Sequence, residues 1–366
     1  MSAVGALHLA NTTTGRDRSI HLHHAMKTYG EIMQSLRQVW GDPKRQFQLT
    51  DFATCLLLCI FEMLDSQIEN WKVHLAGARD IFESIVKTPT TATVVQKQID
   101  GLDRPFKCIL ISLMAYLDVV GAVSTNERMV IGGSYLEMHG EQEYNFGIST
   151  IATERTIEDV YLGGLRHAWS VLMSIKADIS AFGDAINRGL SPKEQHTIRQ
   201  GLEDRLSSWK ALAPDCFAQI GSSENMSDEF GNITLLESMA CVKAHEQATI
   251  IYLHRVAMSG QQVSRPSPPH VQIAACQVLA LARKFVKGVG RLAMLWNMYM
   301  AGLEVTDGGD QAFVREWYQE TEAYGFRTAD KALLTLEDVW NNKAASEMHG
   351  WIEAPNIKAS LLLPLG

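Results

Sequence analysis

The histidines near the start of the chain are the first residues whose type and spacing suggest chemistry. Neutral imidazoles bind zinc and related metals, and His21 and His24 are three residues apart, which puts them on one helix face. His23 lies between them, but no cysteine or carboxylate close by completes a ligand set. We therefore expect these imidazoles at the solvated margin of an amphipathic helix, and we predict no metal site and no cofactor.

Two cysteines form a second candidate pair. Cys55 and Cys59 are four residues apart, so their thiols project from the same face of a helix. The residues between them include Leu56, Leu57 and Leu58, and a cysteine in such surroundings usually packs as a small hydrophobe. The chain has 6 cysteines and no CxxC pair, which argues against a disulfide scaffold or a structural zinc site and favours a reducing compartment.

Several large enzyme classes lack their motifs in this sequence. His245-Glu246 does not begin an HExxH zinc-protease motif, because Thr249 stands at the second histidine position. The chain has no GxSxG elbow, no GxxxxGK[ST] loop and no GxGxxG turn, and its acidic pairs are too isolated for the metal patch of a terpene cyclase. Enzymatic activity stays open, and a cofactor-independent cyclase or isomerase is the form we would expect.

Length and charge limit the range of functions. The chain has 366 residues, 46% of them hydrophobic and 20% charged, which is long and apolar enough to bury a large core. Its formal net charge is −8, and no segment is rich in lysine and arginine. We therefore predict no direct nucleic-acid binding by this chain and no attraction to an anionic membrane. The first ten residues do not resemble a secretion signal, so we expect an intracellular protein.

The elements that must position these residues are helices. Apolar residues recur at steps of three and four, and no sustained period-two run predicts a strand. Thr50 or Asp51 is expected to cap the second helix and Asn70 the third, whose inner face begins at Trp71. We predict a single all-α domain over residues 1–366, with helices at about 20–40, 52–64, 71–86, 102–122, 154–183, 194–211, 232–257, 270–303, 309–323 and 329–343 and loops at 88–98, 131–146, 214–230 and 259–269.

Three stretches carry a family resemblance. The apolar run 56–63 is followed by the pattern W-x-x-H-x-x-G-A over residues 71–78. A second stretch covers residues 248–255, and a third runs from Leu295 to Glu304 and on to Trp340. Together they resemble the regulatory, middle-homology-like helical domain of the second family of fungal-specific transcription factors. The resemblance extends from about Val4 to about Leu363 and implies an all-α regulatory domain.

The ligand-binding candidates come from these stretches. They are polar or aromatic side chains at helical core positions, namely Trp71, His74, Tyr252, His254, Trp296 and Glu304. Each also has a purely structural interpretation, because a buried imidazole or phenol needs a hydrogen-bond partner and not a substrate. Gly77 and Ala78 would let a neighbouring helix approach closely. Catalytic residues stay unassigned.

The sequence departs from the family in one respect. Family members carry a zinc cluster of six cysteines in a short basic segment, which reads the major groove of DNA. No such segment occurs here, and residues 1–10 already resemble an internal helix of the regulatory domain. The sequence does not decide whether the zinc cluster is naturally absent or lost by truncation.

These observations lead to two functional hypotheses and a third in reserve. The first is a nuclear transcription-regulator domain that binds an effector or a partner and lacks its own DNA-binding module. The alternative is a cytoplasmic protein of fungal secondary metabolism that holds an apolar metabolite in a cavity of the helical core, as a binding protein or a cofactor-free enzyme. The third is an interaction protein that forms a homodimer or docks on another regulator.

Overall fold

A computed structural model describes most of the chain. The described residues are 2–41, 46–65, 71–87, 110–111, 113–125, 127–130, 157–212, 233–259, 262–263, 267–346 and 352–353. The predicted Asn70 cap, the loops over 88–98, 131–146 and 214–230, and the first part of the predicted helix 102–122 lie outside these residues.

Helices make up nearly all of the regular structure in the described residues, which confirms the all-α fold class. They are α1 (Ser2–Thr12), α2 (Gly15–Gly41), α3 (Leu49–Leu64), α4 (Trp71–Lys87), α5 (residues 113–125), α6 (Ile157–Asn187), α7 (Pro192–Leu212), α8 (Ile233–Ala257), α9 (Pro269–Phe285), the 3-10 helix η1 (Gly288–Met294), α10 (Leu295–Gly302), α11 (Gly308–Glu322) and α12 (Thr328–Ser346). Strands β1 (Gln262–Val263) and β2 (Ile352–Glu353) pair antiparallel.

Three sequence predictions about helix ends were wrong, and in the first the helix expected from residue 20 begins at Gly15. The helix expected over 270–303 is broken into α9, η1 and α10, because Val286 is extended and Gly288 has a φ of 54°, which a right-handed helix does not permit. The helix expected over 52–64 begins earlier, at Leu49. Its N-cap is Gln48, whose backbone N–H donates to Asp51 Oδ2 at 3.0 Å.

The described residues fall into two compact units. Unit 1 comprises Met1–Gly121, Val130–Thr150 and Glu322–Thr328, and unit 2 comprises the rest of the chain. The assignment of residues 1–366 to one domain stays a prediction. No helix in the described part of the chain combines the length and hydropathy that a membrane crossing requires.

Unit 1 packs around helix α3. Apolar side chains surround this helix on nearly all sides, so Phe52, Leu56 and Phe61 are completely buried. One core cluster joins α1, α2 and α3 through Leu7, Ala25 and Phe61. This arrangement places the polar faces of α2 and α4 next to Glu62, which is the only acidic residue in the second half of α3.

Unit 2 packs around helix α8, which is buried on most sides and contacts α6, α7, α9, η1 and α10. Its large aromatic residues satisfy their polar atoms with backbone carbonyls. Trp209 donates to Ala168, Tyr318 to Leu295 and Trp340 to Gly302, at 2.7 to 2.8 Å. These aromatics therefore fix helix packing.

Candidate functional site

The six candidate residues divide between the two units. Trp71 and His74 belong to unit 1, and the other four belong to unit 2. The structure places all of them except Trp71 in three clusters, each with polar partners that sequence periodicity did not identify. The clusters are centred on Glu62, Lys176 and Glu304.

The cluster in unit 1 joins three helices through one carboxylate. Tyr29 of α2 donates its hydroxyl proton to Glu62 Oε1 of α3 at 2.8 Å. His74 Nε2 of α4 lies 3.0 Å from that hydroxyl and 3.3 Å from the same carboxylate oxygen. Burial and the adjacent carboxylate of Glu62 raise the pKa of Tyr29, so its phenol keeps the proton that it donates. The structural interpretation of His74 accounts for this geometry.

Trp71 lies in the same unit but does not join this polar cluster. Only 6% of the residue is exposed, and its ring lies directly against Gly121 of α5. A Cβ at position 121 would stand 2.1 Å from two ring carbons of Trp71, so glycine is required there. Trp71 therefore acts as a packing residue between two helices.

The most unusual cluster lies in unit 2 and contains a completely buried lysine. Lys176 Nζ of α6 lies 2.6 Å from His245 Nδ1 of α8 and 4.1 Å from the ring centroid of Trp296 on α10. The rings of His245 and Trp296 stack, with centroids 6.0 Å apart, and Tyr252 meets Trp296 edge-on at 5.8 Å. An amine, an imidazole and two aromatic rings thus share one buried place.

Charge is nearly absent from this cluster. Burial lowers the pKa of Lys176 well below its usual value, and burial together with Lys176 does the same to the pKa of His245. Among the described residues, no carboxylate forms an ion pair with Lys176, and Glu246 beside His245 pairs with Lys243 at 2.7 Å. Burial therefore disfavours the charged form of both groups, and Nζ of Lys176 shares one hydrogen bond with Nδ1 of His245.

The third cluster holds a buried ion pair. Arg255 of α8 donates to Glu304 Oε1 at 2.8 Å and to the Leu303 carbonyl at 2.9 Å. Ser267, just before α9, donates to Glu304 Oε2 at 2.6 Å. The predicted candidate His254 lies beside this pair, where burial lowers its pKa and Glu304 opposes the shift. Glu304 is thus occupied by protein groups.

Sequence reasoning selected His74, Tyr252, Trp296 and Glu304 but missed their polar partners. Those partners are Tyr29, Glu62, Lys176, His245 and Arg255. One signal could have found Lys176, because it continues the apolar spacing Leu172, Ile175 and Ile179 on the inner face of α6. A charged residue at a core position is a recognised indicator of a functional site.

The remaining residues that the sequence analysis discussed lie on α2 and α3. Cys55 and Cys59 are free and buried, and burial raises the pKa of Cys55 to about 12, so both are inert packing residues. His23 and His24 are exposed on α2, and His21 is half-buried. Within the described ranges, no group of three or more histidine, cysteine or acidic residues has metal-binding geometry.

Replacing Lys176 by methionine tests whether this amine is neutral in the folded chain. The unfolded chain binds a proton at lysine up to a pH near 10.5, whereas burial lowers the pKa of Lys176 in the folded chain, so folding stability rises with pH between the folded and the unfolded pKa. The wild-type free energy of unfolding should therefore increase between about pH 7.5 and 9, at up to about 1.4 kcal/mol per pH unit more than that of Lys176→Met.

Urea unfolding at a series of pH values measures this difference. The cysteines and tyrosines titrate in both proteins, so their contributions cancel in the comparison. Equal pH slopes would show that Lys176 keeps its proton on folding, contrary to the geometry described here.

Comparison with known proteins adds two matches. The family model described as "Fungal specific transcription factor domain" matches residues 1–359. The protein "Transcription factor dibT" of Pestalotiopsis microspora is 23% identical over 325 residues, which cover 80% of this chain and 50% of that relative. The chain therefore spans about half the length of this curated relative. No solved structure is a significant match.

Proposed function

The chain belongs to the fungal-specific transcription factor domain family, and from that premise we propose that it is a regulatory domain that binds an effector or a partner without reading DNA itself. The observation that carries this proposal is the family match over residues 1–359, which leaves almost none of the chain unassigned. A protein of this kind acts in the nucleus.

The net charge of the chain supports the proposal that it does not read DNA itself. Proteins that bind DNA tightly neutralise many phosphates with lysine and arginine, and the affinity falls steeply with salt. This chain has 41 acidic and 33 basic residues. An effector or partner would instead act by shifting the domain between two conformations and so changing the activity of the protein that contains it.

A fusion experiment tests the proposal. Residues 1–366 are joined to a heterologous DNA-binding domain in a yeast reporter strain. Transcription is then measured with and without an extract of a fungal culture. We expect reporter output to depend on the fused chain and to change by about tenfold on effector addition, which corresponds to a coupling of about 1.4 kcal/mol.

A binding measurement is the matched control. The chain alone should show no salt-sensitive, nanomolar affinity for any duplex in fluorescence anisotropy. Such an affinity, or a fusion that behaves like the DNA-binding domain alone under every condition, would overturn the proposal.

The buried Lys176–His245 pair favours a second candidate of a different class. An amine hydrogen-bonded to an imidazole beside Trp296 has the chemistry of a site for an apolar metabolite. The chain would then serve as a small-molecule-binding protein or as a cofactor-free cyclase or isomerase. Ligand binding or turnover by the chain alone, without any effect in the reporter fusion, would select this candidate over the first.

A further inference from the structure

We infer that Lys176 is a covalent site for a small apolar aldehyde or ketone, which it binds as an imine. This inference rests on the proposed effector binding and specifies the chemical class of the effector. It comes from three facts of geometry: the complete burial of the amine, its 2.6 Å contact with His245 Nδ1, and its position 4.1 Å from the Trp296 ring centroid.

The burial of the amine, which disfavours its charged form, decides which ligand class fits. A carboxylic acid would have to form an ion pair with Lys176 in an apolar core, and burying such a pair costs more than its attraction returns. A carbonyl compound and a neutral amine carry no charge before the reaction, and the imine carries none afterwards. The aromatic faces of Trp296 and Tyr252 would contact the apolar body of the ligand.

The adjacent histidine can move the protons that the reaction requires. The Nζ lone pair attacks the carbonyl carbon, and His245 Nδ1 accepts a proton from Nζ. The imidazolium returns that proton to the oxygen and so completes the carbinolamine. The second Nζ proton then passes through His245 to the hydroxyl group, which leaves as water while the C=N bond forms. One carbonyl oxygen and two Nζ protons depart as one water molecule, so no oxidant or reductant takes part.

Access to the amine depends on local opening next to η1. His245 interacts with the backbone of Ala293 in η1, a seven-residue 3-10 helix (Gly288–Met294) whose hydrogen-bond geometry is weaker than that of an α-helix. Residues 290–293 are only half-buried. Where η1 meets α10, Asn297 Nδ2 contacts only the sulfur of Met294, and Asn297 Oδ1 has no partner among the described residues. A short, weakly held segment of this kind opens more readily than the core helices.

Reductive trapping tests the inference on the full chain. Benzaldehyde and sodium cyanoborohydride are added near pH 7, and peptide mass mapping identifies each benzylated lysine. Fewer than about one exposed lysine in a thousand is unprotonated at this pH, so we expect Lys176 to be labelled at least about tenfold faster than any other lysine. Lys176→Met should lose this label, and His245→Gln should slow it about tenfold.

Two controls keep the outcome decisive. Lys193→Met removes an exposed lysine of α7 and should leave the labelling of Lys176 unchanged. If Lys176→Met fails to fold, the site map of the wild-type chain decides alone. Labelling that is confined to exposed lysines, or equal in wild type and His245→Gln, would overturn the inference. A reporter fusion that still responds to effector in that case would leave the proposed function intact.

Discussion

Replacing Gly121 by alanine is expected to destabilise the chain by about 3 kcal/mol. The new Cβ would stand 2.1 Å from Cη2 and Cζ3 of Trp71, far inside van der Waals contact. The ring cannot move away, because only 6% of Trp71 is exposed and Cys59 Sγ contacts the backbone carbonyl of the same residue at 3.6 Å. The clash must therefore displace α4 or α5, and overpacking of this kind is costly.

Two other glycines provide matched controls. At Gly77 a Cβ would stand 2.6 Å from the Trp40 ring, but Trp40 is 47% exposed and can swing into solvent. At Gly30, also within a helix, nothing lies within 4 Å. We expect Gly77→Ala to cost less than about 1 kcal/mol and Gly30→Ala to stabilise by about 0.5–1 kcal/mol.

Urea unfolding of the three variants measures these differences. The double variant Gly121→Ala with Trp71→Leu should recover part of the lost stability, because the smaller side chain makes room for the added methyl group. If Gly121→Ala behaved like Gly30→Ala, Trp71 would not pack against α5, and its earlier interpretation as a ligand-binding residue would return.

The sequence predicted helices well where the pattern of apolar residues within a single helix is sufficient. Residues 52–64 are apolar on nearly every side, and that pattern is enough to predict a helix inside a core. The break between α9 and α10 has a weaker signal, because the apolar spacing continues across it. The helix ends at Phe285, where Val286 is extended, and the left-handed conformation of Gly288 follows two residues later. A single glycine inside an apolar pattern does not reveal its φ.

The spacing of apolar residues along one helix cannot predict which residues pair when they are far apart along the chain. Lys176 and His245 are separated by 69 residues and Arg255 and Glu304 by 49, so their pairing depends on how whole helices pack. The sequence identified Tyr252 and His254 as candidates on α8, whereas the side chain that contacts Glu304 is Arg255, the neighbour of His254. One residue along a helix turns the side chain by about 100°, and only the packing of α8 shows which face is inward.

Breaking the buried pair of Arg255 and Glu304 should produce the largest loss of stability in unit 2. Arg255→Met removes the cation and leaves the buried Glu304 carboxylate without its guanidinium partner. Uncompensated buried charge of this kind costs about 3–5 kcal/mol. Glu304→Leu should be as harmful for the opposite reason, because it leaves the Arg255 guanidinium with only the Leu303 carbonyl.

The double variant separates the interaction between Arg255 and Glu304 from the contribution of each residue alone. Arg255→Met with Glu304→Leu removes both charges together, so we expect it to be more stable than either single variant by at least about 2 kcal/mol. The exposed pair Arg199 and Glu203, 2.8 Å apart on α7, is the matched control, and Arg199→Met should cost less than about 0.5 kcal/mol. If the stability loss of the double variant equalled the sum of the two single losses, Arg255 and Glu304 would not interact in the folded chain. A non-additive result would show that Glu304 is a structural residue that stabilises the junction of α8, α9 and α10.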